Sequence, residues 1–85
     1  MAQAYEVTWT GTAERALQRL PEKVSAAATE CIYGPLATHP HRAGKALRLD
    51  LEGLHSARRG DYRIIYRIDE SVTIIAIEHR ADVYR

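Results

Sequence analysis

One cysteine in 85 residues, Cys31, rules out an internal disulfide, and no CxxC pair or Cys/His cluster offers a zinc site. No apolar run approaches the roughly 20 residues that a membrane span requires. Met1 to Tyr5 lack the basic patch and apolar block of a signal peptide. P-loop, GxGxxG, GxSxG and HExxH motifs are all missing. A net charge of +1 excludes a strongly basic or acidic chain. These absences predict a cytoplasmic chain off the membrane, with no cofactor and no metal.

Apolar residues make up 46% of the sequence and charged residues 27%, ordinary proportions for a folded domain. The length allows one domain, residues 1–85, and no repeat, linker or biased segment divides it. The charge is unevenly placed. Between residues 39 and 63 stand Arg42, Lys45, Arg48, Arg58, Arg59 and Arg63 against Asp50, Glu52 and Asp61. His39, His41 and His55 lie in the same stretch. This part of the chain suits an anionic partner.

Ala4 to Thr10 alternates and is rich in β-formers, so it reads as a strand. Thr10-Gly11-Thr12 supplies a turn and an N-cap hydroxyl. Ala13, Ala16, Leu17 and Leu20 then form one helical stripe, which Pro21 ends. Val24, Ala27, Ala28, Cys31 and Ile32 form a second stripe, bent or ended at Gly34-Pro35. With almost no loop between them, the two helices form a hairpin. Cys31, on the apolar stripe, reads as a packed thiol. His39 to Gly44 reads as a loop.

Leu47, Leu49 and Leu51 alternate with Arg48 and Asp50 as in a strand. Leu54 to Arg58 is a further extended run, followed by a turn at Arg59-Gly60-Asp61. Tyr62 to Ile68 carries the strongest strand pattern. After a turn at Asp69-Glu70-Ser71, Val72 to Ile77 is apolar on both faces, as in a central strand. The order β-α-α-β-β-β predicts an α+β fold, a small antiparallel sheet with an N-terminal helical hairpin packed on one face.

Period-two geometry sorts the Tyr62 strand. Tyr62, Ile64, Tyr66 and Ile68 suit the face beneath the helices, which sends Arg63, Ile65 and Arg67 to the open face. Lys45, Arg48 and Arg58 can join the arginines from flanking segments. His79, Arg80 and Tyr84 follow the last strand. Guanidiniums give bidentate donors to phosphoryl oxygens, and an imidazole or phenol can move protons. Spacing alone fits metal-free phosphodiester cleavage, a phosphate-binding surface, or plain solvated charge.

Three segments carry a family resemblance. LQRLP (17–21), GKALRLDLEGLHSARRGDYRIIYRIDE (44–70) and HRADVY (79–84) resemble the RelE/ParE superfamily of bacterial toxin–antitoxin toxins, most of all its RelE branch. The resemblance spans nearly the whole chain. It implies a RelE-like fold and a small cytoplasmic endoribonuclease that cuts mRNA in the ribosomal A site without a metal. It also implies a RelB-like antitoxin, with operator DNA bound only through the antitoxin complex. Position by position, Arg63 matches the arginine on the scissile phosphate. Arg80 matches a transition-state arginine, and Tyr84 matches the C-terminal tyrosine that orients substrate and assists proton transfer. His79 corresponds to an acid–base group of relatives with a terminal histidine. Lys45, Arg48, Arg58 and Arg59 resemble contacts to mRNA or ribosomal RNA. The sequence departs from the family at Leu54 and Ser56, where the RelE pattern has two lysines, one a proposed general base. A ParE-like inhibitor of DNA gyrase, and an inactive relative that only joins its antitoxin in autoregulation, are the competing readings.

Overall fold

The computed structural model describes residues 4–47 and 53–79. Its elements run β1 (Val7–Trp9), α1 (Gly11–Arg19), α2 (Glu22–Cys31), a π-helical turn (Ile32–Leu36), α3 (Pro40–Ala43), β2 (Lys45–Ala46), β3 (Leu54–Arg59), β4 (Tyr62–Ile68) and β5 (Val72–His79). Among the described residues the strands form one five-stranded sheet in the order β1-β5-β4-β3-β2.

The fold class agrees with the sequence reading, with one difference in strand direction. β2 through β5 pair antiparallel, but β1 lies parallel to β5. The sheet is therefore mixed. Parallel neighbours need a long crossover, and here everything from α1 to β4 lies between the two strands. The apolar run on β5 has the predicted cause, since β5 is flanked by β1 and β4.

Thr10 joins α1 to the sheet. Its Oγ1 accepts from the Ala13 backbone N–H at 3.1 Å and donates to the Ile75 carbonyl at 3.0 Å. The first bond is an N-cap, typically worth about 1 kcal/mol. Ala13, Ala16 and Ala28 are buried under the helices, where small side chains let the backbones approach the sheet. Facing them are Tyr62, Ile64 and Tyr66 of β4 and Val72, Ile74 and Ile77 of β5. Cys31 is buried in the same core, as its stripe predicted.

Pro35 does not end the helical path: it lies inside the π-helical turn that follows α2. The chain widens into the π-helical turn and buries Ile32 and Leu36. Such a wide turn accommodates the missing N–H of a proline. The predicted loop at 39–44 is instead partly helical: Pro40 opens the single turn of α3 from its first position. A fixed φ favours proline there, where no N–H is needed. A short strand, β2, lies at Lys45–Ala46, just before the predicted run, and Leu47 N–H donates to the Leu54 carbonyl at 2.8 Å. Leu49 and Leu51 lie outside the described residues. Gly60, at φ +57°, makes the tight β3–β4 connection.

One irregularity matters for the site. Ile65 pairs with Ala76 but Tyr66 pairs with Ile74, so β5 holds an extra residue, Ile75. This is a β-bulge. It shifts the alternation of β5, so that Ile74 and Ile77, three apart, both reach the core.

Candidate active site

The helices cover one sheet face and leave the other open. On that open face the register sets Arg58 of β3 directly across from Arg63 of β4, and Arg63 across from Glu78 of β5. The next row holds Lys45, Ser56, Ile65 and Ala76. An open cleft of about 560 Å³ runs along the β2–β3 side, lined in part by Gly44, Lys45, Ser56, Arg58, Arg59 and Arg63. Four cationic side chains thus border one cavity, and repulsion among them is relieved by an anion. Arg59 also donates to the Arg58 carbonyl at 3.1 Å, which steadies the rim.

Arg63 is held rather than free. Its side chain is 35% exposed, and its Nε is 3.8 Å from Glu78 Oε1. That is an ion pair beyond hydrogen-bond reach. Nε is itself buried and has no hydrogen-bond partner among the described residues. A half-exposed pair of this kind contributes at most about 1 kcal/mol to folding. The terminal nitrogens of such a guanidinium can form a fork to a phosphoryl group.

The structure brings Lys45, Arg58, Arg59 and Arg63 to one cleft. Arg48, Arg80 and Tyr84 lie outside the described residues. His79 is directly across from Tyr62, on the face that the helices cover, so the register does not join it to Arg63. The bulge in β5 is the reason: with regular alternation His79 would have shared the face of Arg63, and Glu78 would have turned away. Glu78 was missed for the same reason, since a bulge leaves no clear mark on the apolar pattern of β5. Leu54 and Ser56, the positions of the family lysines, stand on the open face of β3. Lys45 is the register partner of Ser56 and brings an ammonium to that row from the neighbouring strand.

Behind the cleft wall is a cluster that the sequence did not reveal. Tyr66 is fully buried, and its hydroxyl donates to the Pro40 carbonyl at 2.7 Å. Burial, with Cys31 nearby, pushes its pKa up to about 12. His55 stacks on Tyr66 with centroids 5.6 Å apart and meets His41 edge-on at 5.8 Å. Its Nδ1 is buried without a hydrogen-bond partner among the described residues. Burial, and then the charge of His41, lower the pKa of His55 from its ordinary 6.5. The stability tied to its neutral ring is therefore complete above about 6.5 and is lost as pH falls through the lower folded value. Thermal unfolding at pH 7.5 and 5.5 is expected to show a lower Tm at the acidic pH, and His55→Asn should reduce that difference. An unchanged difference would remove His55 from the acid sensitivity.

Among the described residues, no group of three or more His, Cys, Asp or Glu could hold a metal ion, and no helix is long and apolar enough to cross a membrane.

These features define an α+β domain whose sheet carries a cationic cleft opposite its helices. Residues 7–84 match the family model described as ParE toxin of type II toxin-antitoxin system, parDE. The chain belongs to this family, within the RelE/ParE superfamily of type II toxin–antitoxin toxins. It is 60% identical to Toxin RelE of Mycobacterium tuberculosis (strain ATCC 25618 / H37Rv), over 95% of this chain and 87% of that protein. It is 49% identical to Toxin RelG of the same strain, over 95% of this chain and 97% of that protein. Among solved structures, the toxin–antitoxin complex RelBE2 from M. tuberculosis contains a chain 45% identical to this one, with a TM-score of 0.88. The match covers 96% of this chain and all (100%) of that one. The isolated E. coli RelE toxin shares the fold at 18% identity and a TM-score of 0.74, with 95% of this chain and 92% of that one covered.

Proposed function

We propose that this toxin is an endoribonuclease that cleaves mRNA in the ribosomal A site and is neutralised by a RelB-like antitoxin. The observation that carries the reading is the convergence of Lys45, Arg58, Arg59 and Arg63 on one open cleft. The relatives named RelE and RelG, and the RelBE2 complex, support the RelE branch and the antitoxin partner.

In this reading the ribose 2′-oxygen attacks the adjacent phosphorus in line, and the 5′-oxygen leaves. Negative charge grows on the equatorial phosphoryl oxygens. Arg63 forks those oxygens, and Arg58 beside it raises the local positive potential. Lys45 and Arg59 hold the flanking backbone and keep the scissile bond in position. Arg48 is assigned a similar backbone or ribosomal-RNA contact. Arg80 and Tyr84 are assigned by resemblance to transition-state stabilisation and substrate orientation. The step requires hydrogen-bond donors from this chain, and no cofactor or metal has a part in it. Operator DNA is bound through the antitoxin complex.

Primer extension on programmed ribosomes tests the reading. Purified toxin should produce mRNA 5′ ends at the A-site codon, and its antitoxin should abolish them. The ParE description of the family model favours a second reading, inhibition of DNA gyrase. Absence of cuts together with inhibited supercoiling would establish that reading instead. Absence of both would leave a regulatory partner of the antitoxin.

A further inference from the structure

We propose that Glu78 is the group that takes the proton from the attacking 2′-hydroxyl. The inference rests on the endoribonuclease reading and names the base that the reading lacks. The positions of the family lysines hold Leu54 and Ser56, and neither side chain can accept that proton at neutral pH. His79 is across from Tyr62 on the covered face. Glu78 is across from Arg63 on the open face, with its Oε1 3.8 Å from Arg63 Nε.

The geometry suits the chemistry. The Glu78 side chain is 47% exposed, so one carboxylate edge is open to substrate. A phosphate forked by Arg63 carries its 2′-hydroxyl on the neighbouring ribose carbon, within reach of a carboxylate flanking the same guanidinium. On this face Arg63 stands directly across from Glu78, and Arg58 one strand further.

The step balances without an oxidant or cofactor. The 2′-oxygen forms a bond to phosphorus as its proton moves to the Glu78 carboxylate. The bond from phosphorus to the 5′-oxygen breaks, and that oxygen takes a proton from water in the open cleft. The products are a 2′,3′-cyclic phosphate and a 5′-hydroxyl end. The hydroxide left by the water recovers the proton from Glu78.

The test compares wild type, Glu78→Gln and Glu78→Asp in single-turnover cleavage on programmed ribosomes at saturating toxin. Affinity is measured in parallel with mRNA carrying a 2′-deoxy A-site codon, which cannot be cut. Glu78→Gln should lose a factor of about 10²–10⁴ in rate, the range for losing a general base. Its affinity for the 2′-deoxy complex should stay within threefold of wild type. Glu78→Asp, which keeps a carboxylate and guards against a misfolded Gln variant, should cleave at least tenfold faster than Glu78→Gln. Cleavage by Glu78→Gln within threefold of wild type would overturn the proposal and leave the endoribonuclease reading standing. Equal losses of rate and affinity would also overturn it, because Glu78 would then only position Arg63. Failure of wild type to cleave would remove the endoribonuclease reading and the proposal with it.

Discussion

Arg63→Ala is expected to abolish growth arrest and reduce A-site cleavage by about 10²–10³, the cost of removing one preorganised donor to a developing anion. No other described side chain can take its place, because Arg58 enters the cleft from a different strand and cannot reproduce the same fork. The fold should survive. Arg63 is on the open face, and the ion pair it loses contributes at most about 1 kcal/mol. Glu78 is half-exposed, so its carboxylate is rehydrated once the partner is gone. Arg63→Lys should recover only part of the activity, since an ammonium keeps the charge but loses the planar fork. Toxicity on plates, primer extension and antitoxin pull-down check the three parts. A toxic Arg63→Ala variant that folds would remove the cleft from the function.

Gly44→Ala is expected to damage both stability and cleavage from a position that carries no reactive group. A methyl group there would sit 2.7 Å from Tyr66 Oη and 2.8 Å from the Ser56 carbonyl carbon, and closer still to the Ser56 oxygen. The Ser56 atoms are backbone, and Tyr66 is fixed by its bond to Pro40. Neither can yield, so β2 must move off β3. Overpacking of this kind costs about 1–3 kcal/mol. In a domain of this size each 1 kcal/mol lowers Tm by roughly 4–8 °C. Lys45 moves with β2, so cleavage should fall as well. Gly34→Ala is the control: nothing lies within 4 Å of its added methyl group, and Tm should hold or rise slightly. Equal Tm values for the two variants would refute the close approach at Gly44.

The competition between local pattern and tertiary packing shows at particular residues. The Tyr62–Ile68 strand was legible because its alternation is clean, and it correctly set Arg63 against Tyr62, Ile64 and Tyr66. Thr10 was legible as a cap because a hydroxyl before a helical stripe has a local purpose. The single turn at Pro40–Ala43 was not, because four residues hold too little periodicity to register. The parallel pairing of β1 depends on where the chain returns after some sixty residues, and no local pattern carries that. His55 gave no sign of its stacking on Tyr66, since ring contacts across strands follow from register.

Local pattern was enough for the fold class, the core face of β4, the packed thiol at Cys31 and the basic residues around the cleft. Each follows from short-range periodicity or from charge, which neighbouring residues fix between them. Which residue of β5 faces Arg63 emerges only from strand pairing in three dimensions. One extra residue, Ile75, reverses the alternation beyond it. A one-residue shift moves every following side chain to the other face, so Glu78, rather than His79, stands beside the guanidinium.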